Sequence, residues 1–347
     1  MQKKIKIKSN LKLKTKKIDV KFFTGHLIIC FIIGCLSINL CAYQITNTTR
    51  AGALSAFTGL ADDVSAILYN PAGLSTMDNH EIYLYSADIY GLDIKHQQIL
   101  YALPIYNYTT LGLAIANIGH KNYDLSVSEN QYNIAFSTNI NKNLFTGLGV
   151  KIFKTEAEYA NIQKISATAT TLDFSGLYKI SDWRLGFLLA NINNPKFKYN
   201  DNVKSLAERR YLKFGVSYNF ANLITTLDYH TQKRFSFGAE WQAVNNLFFL
   251  RGGITKQFSP TADLQYSLGF RLQMNNLYLD YGADLHNELS TTHKFAIGYK
   301  FGFKNYIDLL DIKQINLFPA LKEFYKTDNR HQIKLKLKNR SNENSEI

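Results

Sequence analysis

The sequence is poor in cysteine and proline, with only three and five of them among 347 residues. Cys30, Cys35 and Cys41 all lie within the first 42 residues. From residue 43 onward there is no thiol, which excludes a disulfide scaffold and a thiolate metal site from that part of the chain. Its stability must therefore come from buried surface and hydrogen bonds.

The middle of the chain also lacks excess positive charge. The net charge is +13, but residues 1–21 contribute +8 and residues 303–347 contribute +3, leaving +2 for the 281 residues between them. Nucleic-acid binding needs a basic patch on the folded body. We therefore expect no nucleic-acid partner.

Motifs of catalysis are missing as well. The eight histidines show no H-x-x-x-H or H-E-x-x-H spacing, and there is no glycine-rich phosphate loop and no G-x-S-x-G elbow. Asp228 and His230 share one strand face, where two polar residues facing a lumen are expected by chance. The sequence therefore predicts no catalytic residue, no metal, no cofactor and no enzymatic activity.

The first 42 residues have the pattern of an export signal. Lysine-rich residues 1–21 precede an apolar run that ends at Leu40-Cys41-Ala42, an acceptable cleavage end. We predict a signal peptide over residues 1–42. An uncleaved anchor and lipidation at Cys35 are the alternatives.

Residues 81–302 alternate between apolar and polar residues with a period of two. Leu212, Phe214 and Val216, for example, alternate with Lys213 and Gly215. Such runs of about ten residues, bounded by turn residues, predict strands. We predict fourteen of them, at 81–90, 94–103, 108–118, 131–140, 143–154, 166–179, 183–191, 209–220, 223–231, 233–242, 246–254, 263–273, 277–285 and 292–302.

The even-numbered connections between these strands are tight and the odd-numbered ones include the longest, as in outer-membrane barrels, although two odd-numbered ones, 91–93 and 232, are short. The sequence therefore predicts an all-β fold, a 14-stranded antiparallel transmembrane β-barrel over residues 81–302, in the bacterial outer membrane. An even strand number returns both mature termini to the periplasmic side, so residues 303–347 would form a periplasmic tail. The tail either docks a partner or is a frayed extension.

The orientation of the alternating faces decides between a membrane barrel and a soluble sheet. We expect the apolar face, including Phe214, Tyr266, Phe270 and Ile297, to contact outer-membrane lipid. The other face mixes glycine and serine with charged residues and would line a crowded, ion-paired lumen. The solvated outer face of a soluble sheet is the alternative for these charges. The lumen candidates are Arg184, Asp228, Glu240, Arg251, Arg271 and Asp280.

Residues 43–80 precede the first predicted strand and form a segment that we call the hatch. It contains GLADDVSAILYNPAGL at residues 59–74. Asp62 can cap a short helix that ends at Asn70, because Pro71 disfavours helical geometry in the residue before it. Gly73 permits a tight redirection into the first strand. The sequence therefore predicts a small, compact helical segment just before the barrel.

The ADD-x-S-A-x-x-x-NPAGL stretch resembles the FadL superfamily of outer-membrane proteins, and more closely its PorV/PorQ-like branch. The resemblance covers most of residues 48–302. It implies that the N-terminal segment folds into the barrel, with Asp62, Asp63, Asn70, Pro71 and Gly73 as hatch residues. Whether these residues gate the barrel or merely pack its beginning stays open.

The resemblance implies a non-enzymatic role in envelope transport or protein secretion, with secretion-system proteins as partners. The alternative is a FadL-like channel for the uptake of hydrophobic small molecules, with those molecules as ligands. A plugged barrel that only presents loops and a tail is a third possibility. The longest predicted outer connection, 192–208, is mostly polar and offers no apolar capture site, which favours the first role.

Overall fold

The computed structural model describes residues 47–302 except 107–108, 122–124, 160–162, 200–203, 206–208, 259–263 and 287–288. The predicted signal peptide and the predicted tail, 303–347, lie outside the described residues. Within the described ranges, no helix is long and apolar enough to cross a membrane.

Sixteen strands are described, and fourteen of them form one closed antiparallel barrel, as predicted. Each barrel strand pairs with its neighbours in sequence, β1 pairs with β16, and β5 pairs with β6. The strands are β1 His80–Ile89, β2 Ile94–Tyr106, β3 Thr109–Lys121, β4 Leu125–Asn139, β5 Leu144–Tyr159, β6 Gln163–Ile180, β7 Trp183–Ala190, β8 Phe197–Tyr199, β9 Lys204–Ser205, β10 Tyr211–Phe220, β11 Leu223–His230, β12 Arg234–Val244, β13 Phe248–Gln257, β14 Leu264–Met274, β15 Leu277–Leu285 and β16 Thr292–Phe301.

Two features of the sheet were not predicted. The connection over 192–208 contains β8 and β9, where β8 pairs with β6; their three and two residues are too short to show a period of two. Strands β4, β5 and β6 are also longer than predicted, because pairing continues past the last outward apolar residues, as far as Leu125 opposite Tyr159. Backbone hydrogen bonds sustain these extensions after the apolar alternation has ended.

The tight connections β4–β5, β6–β7, β10–β11, β12–β13 and β14–β15 lie at one end of the barrel, which we call the turn end. The opposite end is the loop end. This arrangement follows from the antiparallel order, because consecutive connections alternate between the two ends.

The apolar residues of the strands point outward. Tyr266 and Ile297 are 43% and 41% exposed. Phe214 and Phe270 are partly exposed and also lie on the outer faces of their strands. Large exposed residues recur around the barrel: Ile99, Ile115, Ile134, Leu148, Leu172, Leu227, Phe237, Leu250, Leu268 and Phe295. The residues between them point inward and are mostly buried, and many of them are small or polar. This is the inverse of a soluble sheet, so the apolar face points outward, as the expected lipid contact requires.

The hatch precedes β1 in sequence and lies inside the barrel, as the resemblance implies. Its described part contains a helix at Thr49–Leu54, a helix at Ala66–Tyr69 and a 3₁₀ helix at Pro71–Thr76. Buried hatch residues pack against inward residues of the wall such as Tyr83 and Leu100. The apolar hatch residues, Leu54, Phe57, Leu60, Val64, Ile67, Leu68, Leu74 and Met77, form the main core of the protein.

The predicted end of the hatch helix is confirmed, but its predicted cap is wrong. The second helix ends at Asn70, as predicted from Pro71. It begins only after Ser65, however, so Asp62 is not its cap. Asp63 accepts a hydrogen bond from the backbone N–H of Ser65 at 2.8 Å, whereas Asp62 is held by arginines.

Candidate functional site

The hatch backbone lies directly on the barrel wall along a track of inward glycines. An added Cβ at each of them would overlap hatch atoms; at Gly253 it would lie 2.6 Å from the carbonyl oxygen of Ala53. The track consists of Gly112, Gly147, Gly186, Gly215, Gly238, Gly253 and Gly269. The sequence analysis did not single these residues out. The available signal was a glycine at inward positions of successive strands, which marks close backbone approach.

Gly73 also serves close packing and not the predicted redirection. It lies within the 3₁₀ helix Pro71–Thr76, which continues past it. A Cβ at this position would overlap the carbonyl oxygen of Ala61, so the hatch packs backbone to backbone here. Pro71 begins the same 3₁₀ helix, where its missing N–H costs nothing.

Arg50 is the centre of a buried ion-pair network between the hatch and the wall. It donates two parallel hydrogen bonds to Glu240, each 2.8 Å long. Its Nη1 atom also donates to Asp62 and, at 2.9 Å, to Asp63. Charge-assisted paired bonds of this kind are the strong ones in proteins. The sequence analysis missed Arg50, whose importance depends on partners far away in sequence.

The network continues along the inner face of the wall, from β12 to β15. Glu240 accepts a hydrogen bond from Arg251 at 2.6 Å, and Arg251 donates to Asp280 at 2.9 Å. Arg271 donates to both oxygens of Asp280, at 2.8 and 2.7 Å. At the other side, Arg184 joins Asp62 at 2.9 Å. Four arginines thus face four carboxylates, and the network is neutral.

The structure therefore brings together five of the six lumen candidates, Arg184, Glu240, Arg251, Arg271 and Asp280, with the hatch carboxylates of Asp62 and Asp63. All five lie near the turn end of their strands. Burial opposes the ionisation of Asp62, but the guanidinium groups of Arg50 and Arg184 outweigh it and lower the pKa of this carboxyl to about 2.

Asp228, the sixth candidate, holds the hatch at a separate place. Its carboxylate accepts hydrogen bonds from the backbone N–H groups of Phe57 and Thr58, both at 3.0 Å, and from the Thr58 hydroxyl at 2.7 Å. Asn70 ties the hatch to itself and to the wall by donating to the carbonyl oxygens of Thr58 and Gly176. These contacts satisfy backbone groups that burial would otherwise leave unpaired.

A cavity of about 460 Å³ lies on the other side of the hatch, toward the loop end. Hatch residues such as Ala51, Ser55 and Tyr69 form its floor. Its walls carry mostly polar side chains, including Lys213, His230, Gln232, Arg234, Thr255, Gln265, Ser267, Asp284 and His286. Its volume is within the range of small-molecule sites. In the part of the chain that is described, no group of three or more His, Cys, Asp and Glu side chains is placed to hold a metal ion.

No family model matches the chain, and no curated protein sequence does. Several solved structures are similar to it. The Pseudomonas putida toluene transporter TodX has 11% identity and a TM-score of 0.56, and the match covers 75% of this chain and 99% of that one.

The Ralstonia pickettii toluene transporter TbuX has 13% identity and a TM-score of 0.55, over 74% of this chain and 98% of that one. A Pseudomonas aeruginosa FadL homologue has 13% identity and a TM-score of 0.52, over 76% and 99%. At such identities the similarity shows the fold alone, a 14-stranded antiparallel transmembrane barrel. It does not separate the PorV/PorQ-like branch from the uptake channels.

Proposed function

We propose that this protein is a non-enzymatic outer-membrane channel that admits small, partly apolar organic molecules from the loop end into the cavity above the hatch. The observation that carries the proposal is the cavity itself, which is bounded by the hatch on one side and the barrel wall on the other. The similar structures include toluene transporters, which supports a channel for small organic molecules better than a secretion role.

Passage beyond the cavity requires the hatch to shift, because its core residues fill the barrel between the cavity and the turn end. We also propose that both mature termini lie on the periplasmic side, as the even strand number implies. The substrate would then move from the loop end toward the periplasm by diffusion.

We predict that locking the hatch to the wall stops uptake. The hydroxyl oxygens of Ser75 in the hatch and Ser137 in β4 are 2.7 Å apart, so cysteines at both positions are close enough to be joined. The background should carry serine at Cys30, Cys35 and Cys41. Oxidised Ser75→Cys/Ser137→Cys protein in liposomes should take up labelled benzyl alcohol at the rate of protein-free liposomes.

Reduction should restore uptake in the double variant, and the single variant Ser137→Cys should be indifferent to oxidation. Equal uptake by the oxidised and reduced double variant would contradict a hatch-controlled channel. Uptake by no form of the protein would contradict the channel itself.

We further propose that the exposed apolar band contacts lipid. Leu148 is 56% exposed on the outer face of β5, and an arginine near the bilayer midplane costs about 2–4 kcal/mol. Leu148→Arg should lower the free energy of unfolding by that amount in urea titrations of the protein in vesicles. Thr168→Arg, on the outer face of β6 beyond its last outward apolar residue, Leu172, is the control and should cost clearly less than Leu148→Arg. Equal effects of the two substitutions would argue against this placement.

A PorV/PorQ-type role in secretion is the second candidate. The resemblance of the NPAGL stretch and the polar 192–208 connection favour it. It requires capture of a secretion component by the intact chain, lost on deletion of residues 303–347, together with no uptake in liposomes. Uptake with no such capture would leave the channel as the function.

A further inference from the structure

We propose that the cavity contains an oxyanion-binding subsite formed by Lys213, His230 and Arg234, and that the molecule admitted is a compact organic anion. The inference rests on the channel function proposed above and narrows its substrate class. The apolar part of the ligand would lie against the tyrosines of the cavity, and its carboxylate or phosphate group against these three nitrogen-bearing side chains.

The three residues form a row across three neighbouring strands. Lys213 in β10 is directly opposite His230 in β11, and His230 is directly opposite Arg234 in β12. Facing residues of this kind have Cβ atoms about 5 Å apart. All three line the cavity, so their side chains can converge on one group.

Neither cation of the row is neutralised by an ion pair among the described residues. The Lys213 ammonium lies 5.7 Å from the ring centres of both Tyr69 and Tyr211, and the residue is only 7% exposed. The carboxylate of Asp228 is turned toward the hatch backbone. By contrast, Lys294 in β16 is paired with Asp284. A buried cation without a partner is costly, and an anionic ligand would supply that partner.

Neighbouring groups add donors and an aromatic surface. His230 accepts a hydrogen bond at Nδ1 from the backbone N–H of Gln232 at 3.0 Å, so its neutral ring carries the proton on Nε2 and can donate it. The Nε2 atom of Gln232 is buried and has no hydrogen-bond partner in the part of the chain that the structure describes. Tyr211 stacks on the His230 ring with centroids 4.4 Å apart. Among the described residues, Lys213, Arg234 and the Gln232 amide nitrogen have no hydrogen-bond acceptor, and an oxyanion would supply one.

The test compares ligands that share a ring and differ in charge. Full-length protein in detergent is dialysed against labelled benzoate, phenyl phosphate or benzyl alcohol. Both anions should bind about tenfold or more tightly than the alcohol. Lys213→Met and Arg234→Met should each weaken anion binding about tenfold or more and leave benzyl alcohol unchanged.

Lys233→Gln is the matched control, because Lys233 is exposed in the adjoining turn and does not line the cavity. It should change neither affinity. Anions that bind no tighter than benzyl alcohol, or an equal loss in the control, would overturn the inference. Heat-modifiable mobility in gels checks that every variant is folded.

The same proteins in liposomes separate the two proposals. Preferential anion binding without uptake would leave the subsite and remove the channel function. Uptake of benzyl alcohol and benzoate at equal rates, with equal affinities, would leave the channel and remove the subsite.

Discussion

Gly253→Val should displace the hatch and make the barrel permeable. The valine Cβ would lie 2.6 Å from the carbonyl oxygen of Ala53. This oxygen belongs to the backbone, so a change of side-chain rotamer cannot relieve the overlap. Overpacking of this kind costs about 1–3 kcal/mol, which raises the ratio of undocked to docked hatch about fivefold to 150-fold. Efflux of a small hydrophilic dye from liposomes should rise accordingly.

The adjacent residue provides the control. Gly252 is on the opposite face of β13, and a Cβ there would have its nearest contact at 3.7 Å, with Leu268. Gly252→Val should therefore release dye at the wild-type rate, and both variants should keep the heat-modifiable mobility of a folded barrel. Unchanged efflux in a folded Gly253→Val protein would mean that the hatch does not seal the lumen.

Glu240→Gln should cause the largest loss of stability among single substitutions in the network. Glu240 accepts two hydrogen bonds from Arg50 and one from Arg251, and all three side chains are buried. Removing its charge leaves four arginines with only three carboxylates in a buried network, and such an uncompensated buried charge costs about 3–5 kcal/mol. Urea titration of the detergent-folded protein measures the effect.

Arg50→Met should also destabilise the protein, and the double variant should lose less than the sum because both changes remove the same contact. Asp93→Asn is the comparison for an exposed pair. Asp93 forms a surface contact with Lys95 and should give no measurable change. A Glu240→Gln protein as stable as Asp93→Asn would show that the network does not hold the hatch.

The barrel was predictable because its outer face is repetitive. Every barrel strand exposes apolar residues on its outer face, so each strand has the same alternation with a period of two. Leu264–Leu272 is an example, and the pattern can be recognised in one sequence. The β4–β6 extensions and the β8–β9 hairpin were not predictable, since their pairing rests on backbone hydrogen bonds that leave no side-chain pattern.

The candidate site was predictable only in its residue types. Charged residues on the inner face could be named one by one, such as Glu240 and Asp280, but their pairing could not. Arg50 meets Glu240 across 190 residues, and no spacing rule reaches that far. The same holds for the row of Lys213, His230 and Arg234, which only the register of three strands brings into line.

The sequence by itself determined the alternation, the strand number and the end of the hatch helix at Asn70, because each depends on neighbouring residues along the chain. Only the tertiary structure decided which wall residues the hatch contacts, that inward glycines seat it, and that two cations beside a cavity have no ion pair among the described residues. Those outcomes depend on which residues distant in sequence come into contact and how closely they approach. The packing of the hatch backbone on glycines of the wall produces no periodic pattern in the sequence.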